Sequence, residues 1–228
     1  MNYDSVPLRD FKELNDWETV IFVYQSALKQ VETKIDILNG EFQHRHKYNP
    51  IEHVKSRIKT PESIVKKLKR HGYESSIENM VRYVNDIAGI RISCSFTSDI
   101  YLIADMISKQ NDLTILARRD YMKNPKKSGY RSYHMLVTTP VFLSDSIIDT
   151  KVEIQIRTVA QDFWATLEHK MHYKFEGDGP DYITKELREC ARYVAELDTR
   201  MEELNNEIQK YGNCLLYTSD AADDRISV

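Results

Sequence analysis

The chain has 228 residues, of which 41% are hydrophobic and 29% charged, with a net charge of −3. That profile fits one globular domain with at most a helical extension, and it excludes a protein that coats nucleic acid through overall positive charge. Cys94, Cys190 and Cys214 are too widely spaced for a disulfide framework or a zinc site, no apolar run nears the ~20 residues of a membrane span, and the polar start Met1-Asn2-Tyr3-Asp4-Ser5 is no signal peptide, so a cytoplasmic protein with no membrane partner is expected.

Apolar residues recur at helical spacing from Leu8 to Leu38, and Asn39-Gly40 is a stop signal, so residues 1–40 are expected to form an N-terminal helix. A polar connector holding His44 and His46 follows, then a short helix over Ile51–Lys55. His44, His46 and His53 have no Cys or acidic complement at metal-ligand spacing. Thr60-Pro61 opens a further helix, with Thr60 as N-cap and Pro61 in the first helical position, ending at His71-Gly72. Ser76–Asp86 reads as helix. Ile90, Ile92, Cys94 and Phe96 alternate with Gly89, Arg91, Ser93 and Ser95 as in a strand. A helix over Asp99–Lys109, a short strand over Leu113–Ala117, a basic loop at Pro125–Gly129 and strands over Tyr130–Thr138 and Val152–Ile156 come next. Val159–Phe175 is an amphipathic helix, broken by Gly177-Asp178-Gly179-Pro180, and residues 41–176 thus form the expected core.

The last helix, Asp181–Lys210, carries Leu187, Val194, Met201 and Ile208 at intervals of seven, interleaved with Cys190, Leu197 and Leu204. This a/d seam packs either against the N-terminal helix of the same chain or against another subunit. Residues 177–213 are read as this oligomerisation helix. The stretch Cys214–Val228 resembles the translation of a sequencing adapter and is expected to be a disordered artefact.

Several residue groups suit phosphate chemistry. Between Lys55 and Arg70 seven basic residues face one acid, Glu62. On the helix after Pro61, Ser63, Lys66, Lys67 and Arg70 share one face near a helix N-terminus, where side chains, backbone N–H groups and the dipole all favour anions; a solvated charged face is the alternative. A second basic cluster, Arg118–Arg131, precedes Gly129-Tyr130, an aromatic placed to stack a base. With a side-chain period of two, Lys151, Glu153, Gln155 and Arg157 share one face of a strand and need partners or a ligand. Asp86 and Glu153 are candidate oxygen ligands for one Mg²⁺, although spacing alone does not make their strands neighbours. His134 and His169 lie on a strand and a helix that carry other candidates.

Three segments, Asp86-Ile87-Ala88-Gly89-Ile90-Arg91, Gly129-Tyr130-Arg131-Ser132-Tyr133-His134 and Glu153-Ile154-Gln155-Ile156-Arg157-Thr158, resemble the central motifs of RelA/SpoT-type (p)ppGpp synthetases. Tyr48–Ser63 is similar to the small stand-alone members, the RelP class in particular. The resemblance implies an α+β fold: a mixed sheet flanked by helices, nucleotidyltransferase-like, with long terminal helices. It also implies a GTP pyrophosphokinase that moves the β,γ-pyrophosphate of ATP to the 3′-OH of GTP or GDP. By resemblance, Arg57 and Arg91 sandwich adenine, and Lys59, Ser63, Lys67 and Arg70 hold the ATP phosphates. Asp86 and Glu153 bind Mg²⁺, with Glu153 also the base on the 3′-OH. Tyr130 stacks on guanine; Lys127, His134, Gln155, Arg157, Asp162 and His169 complete the acceptor side. No His-Asp dipeptide occurs, so a synthetase without the hydrolase of the long members is expected. The resemblance further implies a homotetramer with no obligatory nucleic acid. A pyrophosphokinase for another acceptor (an adenosine nucleotide or a tRNA 3′ end) and a non-catalytic nucleotide- or RNA-binding regulator are the competing functions.

Overall fold

The computed structural model describes residues 16–174 and 181–219. Residues 1–15 of the expected N-terminal helix, the sequence break at 177–180 and residues 220–228 of the suspected adapter segment lie outside them. Eleven elements follow in chain order among the described residues: α1 (Trp17–His46), β1 (Ile51–Ile58), α2 (Pro61–Arg70), α3 (Ile77–Tyr83), β2 (Ala88–Cys94), α4 (Thr97–Ser108), β3 (Thr114–Asp120), β4 (Tyr133–Phe142), β5 (Ile147–Thr158), α5 (Val159–Lys174) and α6 (Asp181–Ser219). The strands form one sheet in the order β1-β2-β5-β4-β3. β2 and β5 run parallel, while the other three pairs are antiparallel, which makes the sheet mixed.

The apolar sides of the strands build the core. Val152, Ile154 and Ile156 of β5 and Ile90, Ile92 and Cys94 of β2 are buried with Val20, Val23, Tyr24, Ala27, Val31 and Ile35 of α1, Ile64 and Leu68 of α2, and Ile100, Ile103 and Ile107 of α4. A second, smaller cluster joins Trp164 and Ala165 of α5 to Ala191 of α6, with Tyr130, Leu187 and Val194 packed on it.

The strand expected at Tyr130–Thr138 begins only at Tyr133 and leaves Tyr130 in the loop before it, and the strand expected at Val152–Ile156 extends beyond both ends. Four further expectations about elements change. α1 does not stop at Asn39-Gly40; it runs through the His44/His46 connector and ends only where Lys47 takes a left-handed conformation (φ 54°) and its N–H donates to the Gln43 carbonyl. A glycine in a helix costs about 1 kcal/mol, less than the packing of a thirty-residue helix on the sheet supplies. The expected helix at Ile51–Lys55 is the edge strand β1. A register shift between Ile51 and His53 interrupts the two-residue alternation, so Ile51, Val54 and Ile58 mimic helical spacing. α3 is shorter than expected and ends at Tyr83, leaving Val84–Ile87 as a connection into β2. α6 continues to Ser219, into the segment read as foreign. The Thr60 cap is as expected: its Oγ1 accepts from the Ser63 N–H at 3.3 Å, with Pro61 in the first turn.

Candidate active site

The strand registers line up one polar face of the sheet. Arg57 of β1 stands opposite Gly89 of β2, and Gly89 opposite Glu153 of β5. One step along, Lys55, Arg91, Gln155, His134 and Arg119 form a second row across all five strands. Gly89 leaves the floor between Arg57 and Glu153 without a side chain. A cleft of about 180 Å³ opens there, bounded by Lys55, Arg57, Asp86, Arg91, Glu153 and Gln155. A smaller cavity of about 60 Å³ lies on the other side of Glu153, lined by Asn85, Arg119, His134 and Leu136. Glu153 therefore sits between two spaces.

Asp86 enters from the connection before β2. Its Oδ2 accepts from Lys59 Nζ at 2.8 Å and its Oδ1 from Lys67 Nζ at 2.7 Å. Burial pushes this carboxyl up, but the hydrogen bonds and charges of the two lysines prevail and hold it at about 2. Lys67 belongs to the basic face of α2; Ser63 and Arg70, one turn to either side of it, are exposed. Glu153 Oε2 accepts from Gln155 Nε2 at 2.9 Å, and its Oε1 lies 3.5 Å from His134 Nδ1. Burial raises the Glu153 carboxyl, His134 and Gln155 lower it, and the net shift is downward, so it is a carboxylate at neutral pH.

On the acceptor side, the Tyr130 hydroxyl lies 2.9 Å from His134 Nε2. Lys126 Nζ sits 4.6 Å from the Tyr130 ring centroid and the Arg157 guanidinium 5.8 Å. Lys126 rather than Lys127 covers this ring; Lys127 is exposed in the same loop. Asp162, in the first turn of α5, gathers Arg157 Nε at 3.3 Å, Arg91 Nη1 at 3.4 Å and Lys55 Nζ at 3.8 Å. Asp162 thus bridges the two sides rather than belonging to the acceptor side alone. Arg157 Nε and Asp162 Oδ1 face each other in their ion pair without the alignment of a hydrogen bond, and Arg91 Nε is buried with no hydrogen-bond partner among the described residues. His169 is exposed on α5, and no contact among the described residues ties it to the cleft.

Residues 56–178 match the family model described as the region found in RelA / SpoT proteins. The chain belongs to the RelA/SpoT family. It is 45% identical over 195 residues to the GTP pyrophosphokinase YwaC of Bacillus subtilis, covering 86% of this chain and 93% of that one. Among solved structures of the family, the small alarmone synthetase 2 of B. subtilis shares 44% identity at a TM-score of 0.76, covering 84% of this chain and 99% of its own. The B. subtilis small alarmone synthetase 1, solved with its product pppGpp, shares 34% identity at a TM-score of 0.79, covering 85% of this chain and 98% of its own. The α+β fold expected of a RelA/SpoT synthetase, a mixed sheet flanked by helices, is the fold found.

Three features of this RelA/SpoT site carried no separate signal in the sequence. Lys55 is a cleft residue because β1 is a strand, which its helical-looking spacing concealed. Asn85 reaches the Glu153 cavity only through the turn after α3. Ala191 of α6 lies against Gly129: a Cβ on that glycine, itself at φ +92°, would stand 2.5 Å from the Ala191 Cβ. The motif Gly129-Tyr130 announces a turn, yet the helix that closes on it comes some sixty residues later in the chain.

Proposed function

We propose that this chain is a (p)ppGpp synthetase that transfers the β,γ-pyrophosphate of ATP to the 3′-OH of GTP or GDP. The observation that carries the reading is one cleft bounded by Arg57, Arg91 and Glu153 through the β1-β2-β5 register and by Asp86 from the connection before β2, with Lys59 and Lys67 bound to Asp86. Arg57 and Arg91 flank the cleft and would stack on adenine from both faces, since a guanidinium plane packs on π-systems while keeping its charge. Lys59, Ser63, Lys67 and Arg70 would bind the ATP phosphates; Lys59 and Lys67, now spent on Asp86, would turn to them. Tyr130 would carry guanine, with Lys127, His134, Gln155 and Arg157 placing the acceptor and Asp162 joining the two sides; His169, exposed on α5 and untied to the cleft among the described residues, is left out of this assignment.

Among the described residues no group of three or more His, Cys, Asp or Glu side chains gathers to hold a metal by itself. The two carboxylates, Asp86 and Glu153, suit a cation that takes its other ligands from water and phosphate, as Mg²⁺ does. Asp86 and Glu153 would hold Mg²⁺, whose chemistry there is to neutralise phosphate oxygens and the developing charge on the leaving group. The acceptor 3′-oxygen attacks the β-phosphorus of ATP, the bond from that phosphorus to the α,β-bridging oxygen breaks, and AMP leaves. The 3′-OH proton passes to the Glu153 carboxylate. Most of the work is positioning and charge neutralisation, for which this cationic cleft is built.

The test is direct. Purified chain incubated with ATP, GTP and Mg²⁺ should yield AMP and a guanosine pentaphosphate on anion-exchange chromatography, and with GDP the tetraphosphate. Unchanged nucleotides, or AMP formed only with an adenosine or tRNA acceptor, would overturn the assignment.

A further inference from the structure

The polar face of β5 carries one fully buried charged group that the reaction above does not use. Lys151 is 2% exposed, two positions from Glu153 on the same side of the strand. Its Nζ donates to Asn85 Oδ1 at 2.7 Å and to the backbone carbonyl of Arg82 at 3.3 Å. Arg82 lies in the last turn of α3, so the ammonium meets the negative end of that helix. Asn85 is the residue before Asp86 and lines the small cavity beside Glu153.

Both hydrogen-bond acceptors are neutral. Burying an ammonium with no carboxylate in reach of a hydrogen bond works against stability, and an apolar side chain of the same length would fill the space without that cost. Burial accordingly depresses this lysine to about 8, with the charge of Lys67 adding to the effect. What the ammonium does achieve is local. It ties β5 to the Arg82–Asn85 connection from the interior, while Lys59 and Lys67 hold Asp86 from the cleft side. These two front lysines are partly exposed and long enough to turn to phosphate; Lys151 is sealed in and stays.

We propose that Lys151 is a positioning residue, whose buried ammonium fixes the Asn85–Asp86 connection so that the Asp86 carboxylate keeps its place beside Glu153 when phosphate draws Lys59 and Lys67 away. The inference rests on the reading of Asp86 given above. Residues that orient a cation's ligands affect its affinity or activity by about tenfold to a hundredfold.

The experiment compares Lys151→Met, Asn85→Leu, the double variant and Asp86→Asn in the full chain. Thermal unfolding, calorimetric binding of a non-hydrolysable ATP analogue with and without Mg²⁺, and kcat/KM against each substrate are measured. Lys151→Met is expected to keep or raise Tm. It should also lose about tenfold or more in kcat/KM for ATP, need more Mg²⁺ to bind the analogue, and leave the acceptor KM in place. Asn85→Leu should behave alike, and the double variant should be no worse than either single one, because the two residues act as a unit. If Asp86→Asn is inactive while Lys151→Met matches wild type in Mg²⁺ dependence and kcat/KM, the positioning role fails and the site reading stands. An equal loss in both KM values together with a lowered Tm marks Lys151 as merely structural and likewise overturns the role. An active Asp86→Asn enzyme overturns the site reading and this inference together.

Discussion

Glu153 is held by two neighbours of different kinds: Gln155 donates to one oxygen and the His134 ring stands beside the other. Both favour the carboxylate, so at neutral pH the group can accept a proton and can also share a cation. Glu153→Gln keeps the size and the cleft but removes the charge. Expected is loss of synthesis by about three orders of magnitude or more, with ATP-analogue and GDP binding within a few-fold of wild type in calorimetry. Near-normal turnover in this variant would remove Glu153 from the chemistry. Asp86 supports a second prediction, about acid. Its carboxyl is held at about 2, below the ordinary 3.8, so in the folded state it stays ionised to lower pH than in the unfolded chain. The stabilisation from Lys59 and Lys67 is complete above 3.8, is lost as pH falls towards 2, and amounts to about 2 kcal/mol. In urea unfolding, Asp86→Asn should therefore be less stable than wild type at pH 7, and the gap should close between 3.8 and 2. A gap that is constant with pH would show that the lysines do not shift this group.

Among the elements, the acceptor loop and α6 are coupled by contact. Gly129 needs its positive φ and has the Ala191 methyl in the space a side chain would occupy. Trp164 Nε1 donates to the Leu187 carbonyl at 2.9 Å, and Asp198 Oδ2 accepts from Thr158 Oγ1 at 2.9 Å and Gln161 Nε2 at 2.8 Å, so α6 also grips both ends of the first turns of α5 that present Asp162. Gly129→Ala carries two penalties, about 1–2 kcal/mol for the left-handed backbone and the steric clash with α6. The acceptor KM is expected to rise about tenfold or more while ATP-analogue binding is retained. Ala191→Gly added to Gly129→Ala relieves only the clash, so recovery should be partial. Full recovery would mean that the backbone conformation is immaterial, and no recovery that α6 does not seat the loop. This coupling also explains which parts of the site could be read in the sequence. Glu153 and the α2 lysines lie in segments whose periodicity assigns each a face, while Asp86 and Tyr130 lie outside the regular elements, in the motifs that carry the family resemblance. The partnership of β2 with β5, which makes Asp86 and Glu153 neighbours, joins segments more than sixty residues apart, and no local spacing encodes it. β1 was hidden for a different reason: a bulge breaks its alternation, and an exposed edge strand has few apolar positions from which to read a period.

For the whole molecule, the heptad seam of α6 divides into two parts. Leu187 and Val194 pack inside the chain on the Trp164 cluster, against α5, where the sequence leaves α1 and another subunit as the two alternatives. Leu197, Met201, Leu204 and Ile208 continue the same seam and are exposed, each by about half or more of its surface. A narrow apolar stripe at heptad spacing is self-complementary, because the holes between its residues accept the same knobs from an identical helix. The chain is therefore expected to self-associate through the C-terminal half of α6, in line with the homotetramer implied by its resemblance to the small synthetases. Each leucine buried there contributes about 1.5–3 kcal/mol, so Leu197→Glu with Leu204→Glu should weaken association by at least about a hundredfold. Analytical ultracentrifugation at micromolar protein should show an oligomer for the wild type and a smaller species for the double variant. A wild-type chain that sediments as a monomer would refute the interface. The residues of α6 that meet the acceptor loop and Trp164, Ala191 and Leu187, precede the exposed seam, so the dissociated variant should keep its acceptor KM. A rise in that KM upon dissociation would instead mean that assembly sets the position of α6 over the loop.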